Sequence, residues 1–328
     1  MTSIHWMIPD FIFQGHEKSV AVLETIPLAS LRMRAFPAIK AMEGKGAQVT
    51  LGEYIAGKPS KIFVSKIGSI DAKNRTPSYL DQLRQHTSSG AQLYIDYTDH
   101  HLGSLTPMTA FYQEAIKIAD AATVSSSYMR NLLREFYDGK IAVIEDALDI
   151  TAQPIKTTPQ KERTLLWFGH ESNIQYLIDF VRTGFEPGDV AKVLVLSSIK
   201  GLELFRAAPL QSNAKLEFLL LNWSPGQMLE AARRCDACIL PIDCKDPKKS
   251  GASSNRLVTA LALGLPTAAD NLESYREFSK VFIDIRSHEF RTMLRDPGSY
   301  NKLVAEAQAS IVPRFSFENV KKAWCELV

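Results

Sequence analysis

Short apolar runs alternate with amphipathic stretches along the first half of the chain. Runs at 4–8, 61–65 and 92–96 predict strands, and amphipathic stretches at 28–42 and 127–136 predict helices. The same pattern adds strands at 48–51, 122–125 and 141–144 and helices at 78–85 and 108–119. Strands that alternate with helices indicate a parallel sheet with helices on both of its faces.

A polar segment at 150–163, which contains Pro154 and Pro159, interrupts this alternation and predicts a linker. The alternation then resumes, and apolar runs at 193–196 and 218–221 are typical of strands covered on both faces. Predicted strands lie at 164–168, 192–196, 216–221, 237–242, 267–269 and 281–285, with helices after residue 171, at 225–234 and after residue 315.

These elements predict an α/β protein of two Rossmann-like, doubly wound parallel-sheet domains that face each other across a cleft. Residues 1–150 are the predicted N-terminal domain, and residues 151–313 are the predicted C-terminal domain. Residues 314–328 are a predicted closing helix that packs back toward the N-terminal domain. The length of 328 residues is typical of two domains.

The segment 237–269 predicts an anion site within the C-terminal domain. An apolar strand is followed by a polar loop and by a helix that begins near Ser254. The first turn of a helix offers backbone N–H groups and the positive end of the helix dipole. Lys248 and Lys249 add positive charge just before it, and phosphate is a common ligand of such a site.

The composition is that of an ordinary globular protein, with 45% hydrophobic and 23% charged residues and a net charge of +2. This balance argues against nucleic-acid binding, which usually shows a basic excess. No apolar run is long enough for a transmembrane helix, and the amino terminus lacks the pattern of a secretory signal. We therefore predict a cytoplasmic protein, with a peripheral contact at the inner face of the membrane left open.

The cysteines raise the question of a metal site. Cys235, Cys238 and Cys244 are spaced as some zinc ligands are, but no nearby histidine or second pair completes a tetrad. Cys238 also lies inside an apolar run. We predict reduced, buried structural thiols and no metal.

Four segments, taken in order, resemble the GT-B glycosyltransferases. Residues 119–127 are similar to that family's strand before a serine-led helix, and residues 143–149 to the Val-Ile-Pro-Asn-Gly-Val-Asp segment that closes its first domain. Residues 165–169 are similar to the first strand of its nucleotide-binding domain. Residues 261–266, Leu-Ala-Leu-Gly-Leu-Pro, are similar to its Ala-x-Gly-x-Pro element, and the resemblance covers nearly the whole chain.

The resemblance implies transfer of a sugar from a nucleotide-sugar donor on the C-terminal domain to an acceptor on the N-terminal domain. It also implies that no metal ion is needed, because helix dipoles and basic side chains hold the diphosphate. The chain departs from many members in lacking their paired glutamates, whose positions hold Gly251 and Thr259. The basic pair that usually follows Gly169 is missing too.

The candidate donor residues lie at the predicted helix start and after the first strand of the C-terminal domain. Backbone amides and cations there would stabilise the departing nucleoside diphosphate. In the alternative, Ser254 and Asn255 only cap the helix and the lysines are solvated. The donor candidates are Gly169, His170, Lys248, Lys249, Ser250, Ser253, Ser254, Asn255 and Arg256.

Asn222 and Trp223 follow another predicted strand of the C-terminal domain and are the candidate nucleobase residues. The indole ring of Trp223 can pack on a base while backbone groups read the edge of the base. In the alternative, the tryptophan covers the next helix.

The candidate catalytic residues lie in the N-terminal domain. An inverting transfer needs a base that takes the proton of the acceptor hydroxyl. Asp99, His100 and His101 follow a predicted strand, at the end of the sheet where α/β domains bind ligands. The alternative is a turn with partly buried histidines, and His16 in the first loop is a rival base.

The candidate acceptor residues are Gly15, Glu17 and Arg34. Gly15 permits close approach of the backbone to a ligand, and Glu17 is also a rival base. Arg34, with Arg32, is suited to an anionic acceptor, and the alternative is an exposed helix face.

We predict a metal-independent glycosyltransferase without a bound cofactor that moves a sugar from a nucleotide-sugar donor to a glycan or lipid-linked acceptor. Its predicted role is bacterial cell-surface polysaccharide synthesis, with no nucleic-acid partner. The alternatives are a catalytically silent nucleotide-sugar-binding partner and a GT-B-fold epimerase or hydrolase. A hinged small-molecule-binding protein is a further possibility.

Overall fold

The computed structural model describes residues 2–13, 15, 17–26, 28–65, 67, 74–156, 163–187, 189–210, 214–246, 249 and 251–327. Contacts divide the chain into two compact units. The first unit comprises Met1–Asp149, Lys245–Ser253 and Arg314–Val328, and the second comprises Ile150–Cys244 and Ser254–Pro313. The loop Lys245–Ser253, which the sequence analysis places in the C-terminal domain, therefore groups with the first unit.

The first unit is built on a six-stranded parallel sheet in the order β2-β1-β3-β4-β5-β6. Its strands are β1 (Ser3–Met7), β2 (Gln48–Gly52), β3 (Lys61–Ser65), β4 (Gln92–Tyr97), β5 (Ala121–Val124) and β6 (Lys140–Val143). Strand β1 pairs with both β2 and β3, so the strand order reverses there. Ligands of doubly wound sheets bind at the carboxyl ends of the strands at such a reversal.

The second unit has a six-stranded parallel sheet in the order β12-β11-β10-β7-β8-β9. Its strands are β7 (Thr164–Phe168), β8 (Val190–Ser197), β9 (Lys215–Asn222), β10 (Ala237–Leu240), β11 (Thr267–Ala269) and β12 (Ile283–Asp284). Counted from β7, this is the 3-2-1-4-5-6 order of nucleotide-binding sheets. The reversal lies between β7 and β10.

The helices flank these sheets. They are α1 (Val20–Thr25), α2 (Phe36–Gly44), α3 (Thr76–Ser88), α4 (Thr109–Ala115), α5 (Ser127–Arg134), α6 (Ile174–Thr183), α7 (Ile199–Ala207), α8 (Pro225–Arg234), α9 (Asn255–Ala262), α10 (His288–Arg295), α11 (Asn301–Ser310) and α12 (Phe317–Leu327). In the described part of the chain, no helix combines the length and apolarity that crossing a membrane requires.

The core of the first unit explains why the last helix returns to it. The rings of Trp6, Phe63 and Tyr94 stack across β1, β3 and β4, with centroids 4.9 and 4.6 Å apart. Trp324 of α12 packs edge-on against Trp6, at 5.8 Å, and is fully buried. Burial of so large a side chain stabilises the docked helix by roughly 3 kcal/mol. The predicted closing helix is confirmed.

The predicted helix at 28–42 is interrupted. Leu31–Ala35 forms a π turn before α2 begins at Phe36. Pro37 has no N–H and cannot donate to the carbonyl of Met33, which instead accepts from the backbone of Ala147 at 2.7 Å. The π turn rotates the following side chains relative to a regular helix, and such turns are frequent at special sites.

Most predicted strands are confirmed, and two are shorter. The predicted strand 237–242 ends at Leu240 because Pro241 cannot continue the hydrogen-bond ladder. The backbone N–H of Ile242 donates instead to Asp270 Oδ2 at 2.8 Å. The predicted strand 281–285 is reduced to Ile283–Asp284.

Candidate functional site

Three neighbouring strands of the second unit end at the same level, and hydrogen bonds join the residues at their carboxyl ends. Gly169 after β7 donates its N–H to Leu196 O at 3.1 Å, and Ser197 Oγ of β8 donates to Gly169 O at 2.8 Å. Trp223 after β9 donates its N–H to Ser197 O at 2.8 Å. These contacts hold the carboxyl ends of β7, β8 and β9 together, beside the reversal in strand order.

Arg256, in the first turn of α9, reaches the end of β7. Its Nε and Nη2 donate to the carbonyl of Phe168 at 3.1 and 2.7 Å, and its guanidinium lies over the ring of Trp167 at 5.4 Å. Among the described residues, no carboxylate forms an ion pair with Arg256. Burial lowers the pKa of Arg256 by more than the nearby Tyr275 and Cys238 raise it.

The backbone of Gly169 lies close to the side chains of Trp167 and Arg256. A Cβ added at Gly169 would lie 3.1 Å from the ring of Trp167 and 3.4 Å from Arg256 Nη2. The structure thus brings together the predicted donor residues Gly169 and Arg256, and the positive end of α9 adjoins them. This is the arrangement that an anion needs: a cation, a helix start and close backbone approach.

The side chain of Ser254 does not cap α9. Ser254 is buried at the N-cap position, and the structure, within its described residues, shows no capping hydrogen bond from its hydroxyl. The alternative in which Ser254 caps the helix is therefore wrong. Asn255 begins the helix and is half-buried.

The other predicted donor residues lie in the loop before α9. Lys249 and Ser253 are half-buried and group with the first unit. A Cβ added at Gly251 would lie 2.2 Å from Met129 Cε, so this loop packs directly on α5. Lys248 and Ser250 lie outside the described residues, and the donor role of the loop stays a prediction.

Glu171 is a residue at this edge that the sequence analysis did not single out. Ser198 Oγ donates to its Oε2 at 2.6 Å, and His170 Nε2 lies 3.4 Å from the same oxygen. Burial alone would raise the pKa of Glu171, but the hydrogen bond from Ser198 and the nearby His170 and Lys200 lower it overall. The polar residues that follow β7 were the sequence signal for a site here, but they did not reveal that Ser198 is the hydrogen-bond partner of Glu171.

His170 and Trp223 lie where the sequence placed them. His170 is exposed, and its Nδ1 accepts from the backbone of Ser172 at 3.3 Å. Trp223 is half-buried and Asn222 exposed at the end of β9, while Ser224 caps α8 by accepting from Gln227 N at 3.1 Å. The contacts predicted for these residues with phosphate and base stay predictions.

The two histidines after β4 are packed into the first unit. His101 stacks on Tyr112 with ring centroids 4.6 Å apart, and its Nδ1 lies 2.8 Å from Thr106 Oγ1. His100 is buried, and a Cβ added at Gly103 would lie only 1.7 Å from His100 Nε2. The alternative of a turn with buried histidines describes them, because neither ring is open to an acceptor hydroxyl.

The remaining catalytic and acceptor candidates lie on loops. Asp99 is half-buried. Gly15 is exposed with a φ of 83°, the left-handed region that glycine favours, and Glu17 is exposed. His16 lies outside the described residues.

Arg34 is placed differently from the sequence prediction. It is 0% exposed, and its Nη2 and Nε lie 2.6 and 2.7 Å from Asp96 Oδ1. Its Nη1 donates to Asp146 Oδ1 at 3.1 Å and to Ile144 O at 2.5 Å. A guanidinium so enclosed is not accessible to an acceptor, and the alternative of an exposed helix face is wrong as well. Arg32 is likewise buried and pairs with Asp149.

At the strand reversal of the first unit, the side chains of Asp10 and Glu53 each accept a hydrogen bond from the other residue's backbone N–H. Glu53 Oε2 accepts from Asp10 N at 3.0 Å, and Asp10 Oδ1 accepts from Glu53 N at 3.1 Å. Arg75 and Lys18 pair with these carboxylates. These contacts fix the loops that follow β1 and β2, and they could not be predicted from a local pattern because the two residues are 43 positions apart.

The prediction of buried thiols holds for Cys235 and Cys238 and is wrong for Cys244. Cys235 and Cys238 are buried, whereas Cys244 is exposed. Burial raises the pKa of Cys238 to about 12, so its thiol stays protonated. Within the described ranges, no group of three or more His, Cys, Asp or Glu side chains is arranged to hold a metal ion.

No protein-family model matches the sequence, and no curated protein matches it. Several solved structures are similar to this chain. An alpha-glucosyltransferase in complex with UDP is 11% identical with a TM-score of 0.59, over 100% of this chain and 99% of that one. AviGT4, a glycosyltransferase involved in avilamycin A biosynthesis, is 9% identical with a TM-score of 0.54, over 100% and 97%.

A third similar structure is the N-terminal domain of Candida albicans trehalose-6-phosphate phosphatase. It is 8% identical with a TM-score of 0.56, over 99% of this chain and 96% of that one. At such identities the likeness shows the fold alone. The chain has the two-domain, Rossmann-like fold of the GT-B glycosyltransferases, and the predicted fold class is confirmed.

Proposed function

We propose that the protein is a glycosyltransferase that takes a sugar from a nucleotide-sugar donor whose diphosphate binds at Arg256. The observation that carries the proposal is the half-buried guanidinium of Arg256, which lies at the strand reversal of a nucleotide-binding type of sheet. Among the described residues, no carboxylate pairs with it. A half-buried cation whose hydrogen-bond partner is a neutral carbonyl is well placed to bind an anion.

The proposed chemistry follows from charge. When the sugar leaves, the nucleoside diphosphate gains negative charge on the oxygen that held it. Arg256 and the start of α9 are fixed beside that position and stabilise the charge without rearrangement. Because they supply the positive charge, the proposed reaction needs neither a metal ion nor a bound cofactor.

The rest of the donor would extend along the same edge of the sheet. In the proposal, Gly169 and His170 contact the phosphates or donor hydroxyls, and Asn222 and Trp223 contact the base. The predicted donor role of Lys248, Lys249, Ser250 and Ser253 stays part of the proposal. Ser254 and Asn255 offer the first amides of that helix.

On the acceptor side, Asp99 is the better candidate base. His100 and His101 are packed against Gly103 and Tyr112, whereas Asp99 is half-buried in the same loop. We place the acceptor, a glycan or lipid-linked sugar of cell-surface polysaccharide synthesis, near Gly15 and Glu17. The reaction would occur in the cytoplasm, with contact at the inner face of the membrane.

The test is a thermal shift with UDP, GDP, CMP, dTDP and ADP on the wild type and on Arg256→Met. A nucleotide at 100 times its Kd adds about 2.7 kcal/mol of stability. Arg256→Met keeps an apolar side chain on Trp167, so the unliganded variant should lose no more than about 1 kcal/mol. Its Kd for the nucleotide should rise by roughly 10- to 100-fold, the range for hydrogen bonds to charged groups.

The matched control is Arg206→Met, an exposed arginine of α7 in the same unit. It should bind nucleotide like the wild type. If no nucleotide stabilises the wild type, or if Arg206→Met weakens binding as much as Arg256→Met, the diphosphate site is not at Arg256.

A nucleotide-sugar-binding partner that transfers nothing is a second candidate, favoured by the packing of His100 and His101. It predicts nucleotide binding at Arg256 without release of nucleoside diphosphate from any nucleotide sugar, with or without an acceptor pool. This candidate would be rejected if the wild type releases free nucleoside diphosphate and Asp99→Asn abolishes that release.

A further inference from the structure

The phosphate site of the proposed function leaves one charged group at the same edge without a role. Glu171 stands two residues after Gly169, so their Cα atoms are at most about 7 Å apart. Gly201 at the start of α7 packs between the two strand ends, because a Cβ there would lie 2.3 Å from Ser197 Oγ and 3.3 Å from Glu171 Cα. Glu171 is therefore a close neighbour of the residues around Arg256.

The carboxylate of Glu171 is held in one orientation. Ser198 Oγ donates to Oε2 at 2.6 Å, and the same hydroxyl accepts from Gly201 N at 3.2 Å as the cap of α7. A serine locked by its own helix thus positions Glu171. Within the described part of the chain, no other residue donates a hydrogen bond to its second oxygen, Oε1.

The chemistry of this oxygen selects its ligand. A carboxylate accepts hydrogen bonds and cannot donate them. Beside a diphosphate it repels a further anion, so its partner is a neutral group with O–H donors. Two adjacent hydroxyls suit such a carboxylate, since each can donate a hydrogen bond to it.

We propose that Glu171, positioned by Ser198, binds the vicinal hydroxyls of the donor nucleotide's ribose. The inference rests on the proposed function, because it needs the diphosphate at Arg256. In sheets of this order an acidic residue at the end of the second strand accepts from the ribose. Here β8 is that strand, and its end supplies Ser198, which holds a carboxylate from the neighbouring turn in the equivalent place.

The test compares binding of UDP, GDP, ADP and CDP with binding of their 2′-deoxy counterparts by calorimetry. The wild type should bind the ribonucleotide that it prefers roughly 10- to 100-fold more tightly than the deoxy form. In Glu171→Ala this ratio should fall to about one, because the partner of the hydroxyl is gone.

Two further variants separate positioning from structure. Ser198→Ala should reduce the ratio while leaving the deoxynucleotide affinity unchanged, and Ser198→Thr, which keeps a hydroxyl, should restore it. Glu203→Ala on the exposed face of α7 is the matched control and should keep the full ratio.

The outcomes distinguish this inference from the proposed function. Nucleotides that bind through Arg256 with a ratio near one, or with a ratio that Glu171→Ala leaves intact, would overturn the ribose assignment alone. If the effect of Glu171→Ala on affinity depends only on a hydroxyl of the donor sugar, and not on the ribose hydroxyls, the carboxylate binds that sugar instead. Absence of any nucleotide binding to the wild type would overturn both.

Discussion

Replacement of the buried Arg34 by methionine should be among the most damaging single changes in the first unit. Arg34 is fully enclosed, and its guanidinium contacts Asp96, Asp146 and the carbonyl of Ile144 while its charge lies 5.5 Å from the ring of Trp324. Burial alone would lower the pKa of Arg34, but the two aspartates raise it overall. The cation is therefore strongly held.

The magnitude follows from what the change leaves behind. Asp96 and Asp146 are 1% and 6% exposed, so both carboxylates would stay buried without their cation. Among the described residues, Asp96 would keep as a side-chain partner only Thr123, whose Oγ1 donates to it at 2.7 Å. Breaking a buried ion pair by removing one partner costs about 3–5 kcal/mol. We expect Arg34→Met to lie in that range.

Hydrogen exchange measures this loss locally, without assuming that the two units unfold together. Peptides from β4 and β5 should exchange roughly 10²- to 10⁴-fold faster in Arg34→Met, the equivalent of about 3–5 kcal/mol. The exposed Arg130→Met on α5 should change the free energy of opening by less than about 0.5 kcal/mol.

A triple variant tests whether charge rather than volume is the cause. Combining Arg34→Met with Asp96→Asn and Asp146→Asn removes the stranded carboxylates and should recover part of the lost protection. A loss below about 1 kcal/mol in the single variant, or a triple variant no more protected than the single one, would refute the reasoning.

Two other variants test different forces. Burial lowers the pKa of His100, and the nearby Glu135 offsets this only partly. The folded protein therefore keeps the ring neutral at a pH where the unfolded chain binds a proton. The free energy of unfolding should fall as pH drops below about 6.5. His100→Gln should flatten that fall in a urea titration from pH 8 to 5, whereas the exposed His288→Gln should leave it intact. Gly264 has a φ of 80°, and a Cβ there would lie 2.5 Å from Pro154 O, so Gly264→Ala should cost at least about 1–2 kcal/mol. In contrast, Gly226→Ala, in open space within α8, should stabilise by about 0.5–1 kcal/mol, and equal melting temperatures for the two variants would contradict the reasoning.

The strands could be predicted because their sequence signal is local. A strand covered on both faces is nearly continuously apolar, and the run at 165–168 meets that condition within four residues. The resumed alternation after residue 163 is local in the same sense. Two six-stranded sheets could therefore be expected before any long-range contact was known.

The burial of charged groups could not be predicted, because their partners are distant in sequence. Arg34 pairs with residues 62 and 112 positions away, and periodicity alone could not decide which side of the interrupted helix faces Asp96. Glu171 depends in the same way on a serine 27 positions further on. His100 and His101 follow a strand, as ligand-binding residues do, but Tyr97 and Tyr112 draw them into the core.

Arg34 and Arg256 show how the structure separates a structural cation from a binding one. Arg34 has two carboxylates for one positive charge, so its charge is compensated and removal of the arginine leaves two buried anions without their cation. Arg256 has a backbone carbonyl and an indole ring, and among the described residues no carboxylate pairs with it. Removing Arg256 strands no charge, so the unfolding free energy of the empty protein should change little while anion affinity falls. The same substitution to methionine should thus be costly in one unit and nearly silent in the other until a nucleotide is added.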